Sequence, residues 1–148
     1  MELIYPVALD YPFVRDLFEG LETGDGAEFF QHVDDNVDWT VEGTHPLADH
    51  YRSKAAFLAG TFDKLNKVLP DWAQLVVEYL LVRDDQAVVG LRSLATARNG
   101  FRFDKSILLG VHFNDNIIDR VRAYLDSAMV ARLFAENPIP DEPQQALR

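Results

Sequence analysis

Residues 39–54 of the chain read WTVEGTHPLADHYRSK. At the start of this stretch, Trp39 and Val41 alternate with polar residues, which is the period-two pattern of a strand buried on one face. Ser53 is a residue type that often caps a helix, and an apolar helical stripe follows it. The stretch therefore connects a strand to a helix. Because loops held by rigid elements often carry functional side chains, we predict that this connection forms the mouth of a reactive pocket.

Short helices are predicted before this connection and a largely antiparallel sheet after it. Apolar spacing predicts helices at residues 12–23, 27–33 and 53–69, strands at 37–42, 75–82, 87–98, 101–113 and 117–125, and a last helix from Asp126 or Ser127. Asn99-Gly100, between two of the strands, is a strong signal for a tight hairpin. We predict one α+β domain at residues 1–136, followed by a disordered, proline-rich tail at 137–148.

The composition argues against several classes of function. The chain has 148 residues, a formal net charge of −10 and no cysteine. A surface this acidic repels nucleic-acid phosphates and anionic lipids, so neither is expected as a partner. The lack of cysteine rules out disulfides, thiolate nucleophiles and cysteine-based zinc sites. The N-terminal residues show neither a secretory nor a membrane-spanning pattern, so we expect a cytoplasmic protein.

The predicted sheet has two unlike faces. One register is largely apolar, and by parity it includes Tyr79 and Lys105. The alternate register carries many charged residues and His112. We expect the helices to cover the apolar face, and the polar face to be solvated or paired with a second subunit. A one-residue bulge would exchange the two assignments beyond it.

Three motifs in this order resemble one known superfamily. They are the early helices ending at Thr23-Gly-Asp25, the pattern Trp39…Gly43…Pro46-Leu47…Tyr51-x-Ser-Lys54, and the sheet ending in Val121-Arg-Ala-Tyr-Leu-Asp126. Over roughly residues 10–136 the chain resembles the nuclear transport factor 2-like (NTF2-like) superfamily, closest to its SnoaL-like and ketosteroid-isomerase-like branch. The resemblance implies a cystatin-like cone, in which a curved antiparallel or mixed sheet wraps around three N-terminal helices, with a short C-terminal helix. It also implies a pocket inside the cone and a homodimer formed through the outer face of the sheet.

The resemblance transfers some functional positions and not others. Ketosteroid isomerases use a tyrosine on the first helix and two aspartates on the sheet, and here Phe18, Thr40 and Leu109 stand at the matching places. None of these three side chains can do the corresponding chemistry. SnoaL-like cyclases place a working histidine and aspartate on the last two strands, and His112 and Asp126 match that order.

Three residues are predicted to be catalytic. An imidazole titrates near neutral pH, and His45 is held before a proline close to the predicted mouth, so it is the main acid–base candidate. Asp126 is the second proton-transfer candidate, although a helix N-cap would also account for it. Tyr51 is predicted to donate a hydrogen bond to a developing oxyanion.

Eight further residues are predicted to contact a small apolar or aromatic substrate: Trp39, Asp49, His50, Phe57, Tyr79, Phe103, Lys105 and His112. An inward ammonium at Lys105 would stabilise an enolate or phenolate oxygen, whereas a bulge would turn it outward. The aromatic residues can line a pocket or simply form core. The spacing of His45, Asp49 and His50 fits no established zinc motif, so neither a metal nor another cofactor is predicted.

These features favour a cofactor-independent isomerase or cyclase that transfers a proton next to the carbonyl group of a small aromatic or polyketide-like compound. A non-catalytic binding module is the main alternative, because the isomerase-type acids are absent. A dehydratase or an epoxide hydrolase on the same fold is a further alternative. Since fold alone does not determine reaction, the site must decide among them.

Overall fold

The structure, a computed structural model, describes residues 9–23, 26–71 and 73–139, which form five helices and six strands. The helices are α1 (Tyr11–Thr23), α2 (Ala27–Gln31), α3 (Lys54–Gly60), α4 (Phe62–Val68) and α5 (Ser127–Glu136). The strands are β1 (Val33–Glu42), β2 (Asp49–Tyr51), β3 (Gln74–Arg83), β4 (Gln86–Leu94), β5 (Ser106–Asn114) and β6 (Ile117–Leu125). Every helix of these residues is too short or too polar to cross a bilayer.

All six strands belong to one mixed sheet in the order β2-β1-β6-β5-β4-β3. β1 and β6 run parallel, and the other neighbouring pairs are antiparallel. The parallel pair is possible because α3, α4 and four strands separate β1 from β6, which is ample chain for a crossover. The predicted α+β class with a curved, mixed sheet is confirmed.

The helices cover the apolar face of the sheet, here called the inner face. α1 packs against β3, and α3 packs against β1. The inner face contributes a row of buried side chains from the central strands: Val89, Leu91, Ile107, Leu109, Val111, Val121 and Ala123. The opposite face, here called the outer face, carries most of the charged side chains of the strands. The two-faced sheet predicted from sequence is therefore observed over β4, β5 and β6.

The face assignment is wrong in the second half of β3. The register of β3 against β4 shifts between Val77 and Tyr79. As a result Leu80 is buried, while Tyr79 and Leu81 are 50% and 64% exposed on the outer face. Tyr79 therefore cannot line a pocket under the helices, and its ring instead covers Gly90 of β4, where an added Cβ would lie 2.2 Å from the ring.

Element boundaries differ from prediction where tertiary pairing overrides local preference. β1 begins at Val33, which pairs with Ile118 of β6, so the predicted α2 ends early. The predicted third helix is divided at Thr61, whose φ of −127° and ψ of −81° are not helical. At the other end, the first residues of the predicted tail are packed: Asn137 is buried and bonded to the Leu133 carbonyl. Residues 140–148 of that tail lie outside the described residues.

Candidate functional site

A cavity of about 90 Å³ lies between the inner face of the sheet and the helices. Aromatic rings form much of its wall: Phe29, Phe30, Trp39, Phe57, Phe62 and Phe103. Aliphatic side chains from the central strands, such as Leu91 and Leu109, complete it. Among the described residues of the wall, the polar side-chain groups are the Thr61 hydroxyl, the Trp39 indole N–H and the Lys105 amine. The cavity is thus almost wholly apolar.

The aromatic wall is rigidly interlocked. The rings of Trp39 and Phe57 are stacked with centroids 3.8 Å apart and planes inclined by 20°. Phe30 and Phe62 meet edge to face with centroids 5.7 Å apart. Such pairs add to the stability gained by burying the rings. The three aromatic residues predicted to bind substrate from β1, α3 and the chain before β5 (Trp39, Phe57 and Phe103) all belong to this wall.

The Trp39 indole carries an unpaired donor. Its Nε1–H is buried, and no acceptor for it exists among the described residues. The Thr61 hydroxyl, by contrast, already donates to the Phe57 carbonyl at 2.6 Å. Leaving a buried donor unsatisfied costs about 1–3 kcal/mol, so such groups in native proteins call for an explanation.

Lys105 is the charged residue of the cavity wall, and the backbone fixes its direction. Its amide donates to the Ser93 hydroxyl at 3.0 Å, and its carbonyl accepts from the Ser93 amide at 2.9 Å. The same hydroxyl donates to the Phe103 carbonyl at 2.8 Å, so Ser93 ties this segment to β4. The result is a lysine side chain that is only 4% exposed and stands over the Phe103 ring, with Nζ 4.2 Å from the centroid.

The Lys105 amine has no direct ionic or hydrogen-bond partner in the described part of the chain. Burial lowers the pKa of Lys105 to about 7, and the Asp126 carboxylate partly opposes this by favouring the charged form. An ordinary lysine is almost wholly protonated at neutral pH, but this one is balanced between amine and ammonium. Strongly shifted groups in cavities are candidates for acid–base or nucleophilic chemistry.

His45 lies beside this site but does not line the cavity. Its Nδ1 accepts from the Leu47 amide at 3.2 Å, and its Nε2 donates to the Glu42 carbonyl at 3.1 Å. Burial lowers the pKa of His45, with the nearby Lys105 charge as a further cause, so the ring is neutral at pH 7. Because both ring nitrogens are bonded to the backbone, this geometry does not support the predicted role of His45 as the main acid–base group.

Removing His45 should therefore affect stability more than chemistry. We expect His45→Ala to lower the free energy of unfolding by about 2–4 kcal/mol, because it leaves the Leu47 amide and the Glu42 carbonyl unpaired beside a void. His45→Asn should cost less, since an asparagine oxygen can accept from the amide two residues on. Urea denaturation measures both values. A catalytic His45 would instead make His45→Asn lose activity by 100-fold or more while still folded.

Tyr51 also directs its polar group away from the cavity. Its hydroxyl donates to the Leu47 carbonyl at 2.7 Å, and the ring is packed edge to face against Phe57. Burial raises the pKa of Tyr51, with Asp49 as a second cause. The hydroxyl thus closes the connection between β1 and β2 instead of meeting a ligand, contrary to the predicted oxyanion role.

Asp126 is the N-cap of α5, as the alternative interpretation of the sequence had it. Its carboxylate accepts from the Met129 amide at 3.0 Å and its side chain is exposed. Its carboxylate nevertheless acts on the cavity through its charge, which raises the pKa of Lys105. Asp126 therefore influences the site without lining it.

Two substitutions separate these two effects of Asp126. Asp126→Ala should lower the free energy of unfolding by about 1 kcal/mol through loss of the cap, whereas Asp126→Asn, an equally good cap, should leave it nearly unchanged. Both remove the charge, so both should lower the pKa of Lys105 further and move any Lys105-dependent pH profile to lower pH. Thermal melts and pH–rate profiles check the two outcomes. A cap role alone would leave the profile of Asp126→Asn where the wild type has it.

Three of the other predicted substrate contacts lie outside the cavity. Asp49 is exposed on the edge strand β2, and His50 is bonded to Asp38 at 2.7 Å. His112 bridges Asp119 at 2.6 Å and Asp85 at 3.0 Å, and the hydrogen bond that its ring donates to the Asp119 carboxylate is the largest cause of its raised pKa. His50 and His112 border a polar trough of about 470 Å³ on the outer face. None of the three can contact a molecule held under the helices.

Sequence reasoning missed several residues of the cavity wall. Phe30, Phe62 and Leu65 reach it from α2 and α4, and Leu47 reaches it from the connection. Their helical spacing showed only that they would be buried, because a core side chain and a wall side chain have the same pattern. The unpaired Trp39 N–H gave no signal at all in the sequence.

Comparison with solved structures identifies the fold. An NTF2-like protein from Burkholderia thailandensis matches with a TM-score of 0.72 and 21% identity, over 84% of this chain and 95% of that one. The chain has an NTF2-like fold. IdmH from Streptomyces antibioticus, a candidate polyketide cyclase, also matches, with a TM-score of 0.66 and 15% identity over 84% of this chain and 96% of IdmH. A Xanthomonas campestris protein with a cystatin-like fold has a TM-score of 0.70 and 18% identity, over 82% and 95% of the two chains.

A curated relative matches this chain over only part of its own length. The dimerizing cyclase phiC of a fungal species (strain ATCC 74256) is 24% identical over 132 residues, which is 86% of this chain. The chain spans only 58% of the length of that relative. No protein-family model matches the chain.

The NTF2-like fold also places the three positions compared with ketosteroid isomerases. Leu109 lines the cavity, Phe18 is fully buried core, and Thr40 borders the trough on the outer face. Phe18 and Leu109 are apolar and Thr40 lies outside the cavity, so none of these three side chains can transfer a proton inside it. Any proton transfer in this cavity has to use another group.

Proposed function

We propose that this protein is a cofactor-independent isomerase or cyclase that transfers a proton next to the carbonyl group of a small apolar or aromatic compound. Lys105 is the acid–base group, in place of His45. The Trp39 N–H is the donor to the carbonyl oxygen, in place of Tyr51. Both groups belong to the wall of one apolar cavity.

The observation that carries this proposal concerns Lys105, a residue of that wall. Among the described residues, its amine has neither an ion-pair partner nor a hydrogen-bond partner. A lysine that served structure alone would be expected to pair with a carboxylate or to extend into water, because burial of an unpaired charge is costly. Here it does neither. With a pKa of about 7 it can both accept and return a proton at neutral pH, which is where general acid–base catalysis is most efficient.

The names of the relatives agree with this class of reaction. One similar protein is a dimerizing cyclase and another a candidate polyketide cyclase. Cyclisation of a polyketide-like chain and isomerisation of an enone both begin with removal of a proton next to a carbonyl. These likenesses are remote, so the proposal depends on the cavity itself.

The size of the cavity limits what enters it. At about 90 Å³ it is smaller than the engineered cavity of about 150 Å³ that holds benzene. The enclosed part of a substrate is therefore a small apolar unit bearing the carbonyl group, and the remainder of a larger substrate would extend toward the opening. An almost wholly apolar wall favours an uncharged ligand.

The experiment that tests the proposal is deuterium exchange into a panel of small enolisable ketones, followed by NMR in buffered deuterium oxide. We expect protein-dependent exchange whose rate rises through about pH 7 and then levels off, since the neutral amine is the base. A folded wild-type protein that gives no exchange across the panel would overturn the proposal. Ligand binding without exchange would favour the non-catalytic binding module.

The binding module has one specific observation in its favour. The side chains predicted to be catalytic, His45 and Tyr51, are engaged by the backbone. A hydrolytic reaction is less well supported. It needs a water clamped between acidic, amide or phenol groups, and the described wall residues of the cavity include none of these.

We also propose that the protein is a homodimer formed through the outer face. Five large apolar side chains are exposed on that face: Tyr79, Leu81, Val88, Leu108 and Tyr124. An exposed apolar cluster flanked by charged groups is typical of a protein interface. The nearby Glu78–Arg92 and Glu42–Arg122 pairs supply charges of both signs for a self-complementary contact.

Leu81→Asp should dissociate this dimer, because it places an unpaired charge at the most exposed side chain of the apolar cluster. Sedimentation velocity should show wild type at twice the mass of the variant at micromolar concentration. Tyr11→Asp is the matched control, since Tyr11 is 46% exposed but lies on α1 and not on the sheet. Equal masses for wild type and Leu81→Asp would contradict the dimer.

A further inference from the structure

The Lys105 amine has the properties of a nucleophile as well as those of a base. It is buried, it has no ionic partner in the described part of the chain, and the lysine side chain that carries it is part of the wall of an apolar cavity. The Phe103 ring below Nζ and the Ser93 bonds to the backbone hold it in the wall. An amine placed in this way can react with a carbonyl carbon that enters the cavity.

We propose that Lys105 forms an imine with an aldehyde or an unhindered ketone bound in the cavity. The inference deepens the proposed function and rests on it, because it makes the substrate a reactive carbonyl compound and not an ester, amide or carboxylate. Those less electrophilic groups do not condense with an amine without activation.

The covalent step balances without an oxidant or a reductant. The nitrogen lone pair forms a bond to the carbonyl carbon, and a proton moves from nitrogen to oxygen to give a carbinolamine. The C–O bond then breaks, the C=N bond forms, and the oxygen leaves as one molecule of water. When protonated, the imine withdraws electrons from the adjacent carbon and so weakens its C–H bond. Because the Lys105 nitrogen is then part of the imine, the proton passes to a water molecule and not to the amine.

The other lysines of the chain offer little competition for this chemistry. There are four lysines: Lys54, Lys64, Lys67 and Lys105. Lys54 pairs with Asp35 at 3.3 Å and donates to the Phe30 carbonyl at 2.8 Å. Lys64 and Lys67 lie on α4, Lys67 with an exposed side chain. An exposed lysine is almost wholly protonated at pH 7, whereas about half of Lys105 is neutral if its pKa is about 7.

Reductive trapping tests the proposal. The full chain is mixed at about pH 7 with butanal and sodium cyanoborohydride, which reduces an imine to a stable secondary amine. Peptide mapping by mass spectrometry then gives the labelling rate of each lysine. We expect Lys105 to be labelled at least about tenfold faster than Lys67, which serves as the internal control.

Two variants provide a second test of which lysine is labelled, besides the peptide mapping. Lys105→Met should lose the fast labelling, and Lys67→Met should retain it. Lys105 that stays unlabelled, or that reacts no faster than Lys67, would overturn the imine. Deuterium exchange in the same samples without cyanoborohydride separates the two proposals. Exchange without a Lys105 adduct overturns the imine and leaves Lys105 as a simple base, whereas an adduct without exchange supports the imine and removes the proposed proton transfer.

Discussion

Lys105→Met should reduce protein-dependent deuterium exchange by roughly 10²–10⁴-fold, which is the usual contribution of a placed acid–base group. Methionine has a similar length and shape, so the cavity keeps its volume while losing the amine. The effect should appear mainly in the rate of exchange at saturating ketone. Binding of the apolar part of the ligand, which contacts rings such as Phe57, should change little.

NMR exchange rates and ligand titrations measure these two quantities separately. Lys67→Met is the matched control, because it removes an exposed lysine that does not border the cavity. Lys105→Arg tests the alternative in which only positive charge matters, since arginine stays protonated throughout the accessible pH range. Full exchange activity in folded Lys105→Met, or in Lys105→Arg, would exclude the neutral amine as the base.

The same Lys105→Met substitution should make the protein more stable. Burial depresses the pKa of Lys105 from 10.5 to about 7, so the folded state disfavours the ammonium form. Below pH 7 the lysine is charged in both the folded and the unfolded states, and the full penalty, on the order of 5 kcal/mol, weakens the wild type. Between about pH 7 and pH 10 the unfolded state binds more protons, so wild-type stability rises by about 1.4 kcal/mol per pH unit.

Urea denaturation at several pH values between about 6 and 9 tests this sign. The variant should be more stable than wild type at the lowest pH, and the difference should shrink steadily as the pH rises above 7. Lys67→Met should show no such trend, because its side chain is exposed. If the difference in free energy of unfolding between wild type and Lys105→Met does not vary with pH, the pKa of Lys105 is not depressed in the folded state.

The general architecture could be predicted from sequence because its signals are periodic. Alternation in β4, β5 and β6 separated the two faces of the sheet, and the N-cap roles of Ser53 and Asp126 were legible as single residues before apolar stripes. The errors came where one element depends on another. The bulge at Val77–Tyr79 turned Tyr79 outward, and pairing of Val33 with Ile118 drew the end of a predicted helix into β1.

The candidate site was predictable only in part, for a related reason. Trp39, Phe57 and Phe103 were predicted to line a pocket or to form core, and Lys105 to point inward unless a bulge turned it outward; all four border the cavity. Residue type could not show that the His45 and Tyr51 polar atoms are used by the backbone of their own loop. Hydrogen-bond partners a few residues away depend on the turn geometry, which sequence patterns specify poorly. The loop residues His45 and Tyr51 were therefore given more weight as candidate catalytic residues than Lys105.

The parallel pairing of β1 with β6 has a consequence for how the chain acquires its structure. β1 lies near the beginning of the chain, and its central partner β6 comes after all the other strands. The β3–β4–β5 meander can assemble from neighbouring segments. β1 can pair with β6 only after a long loop closes, and this long-range closure should slow folding. During synthesis on the ribosome, β1 and the helices that carry aromatic wall residues (α2, α3 and α4) would lack the complete sheet until β6 emerges. Fragments that end before β6 should accordingly be prone to aggregate.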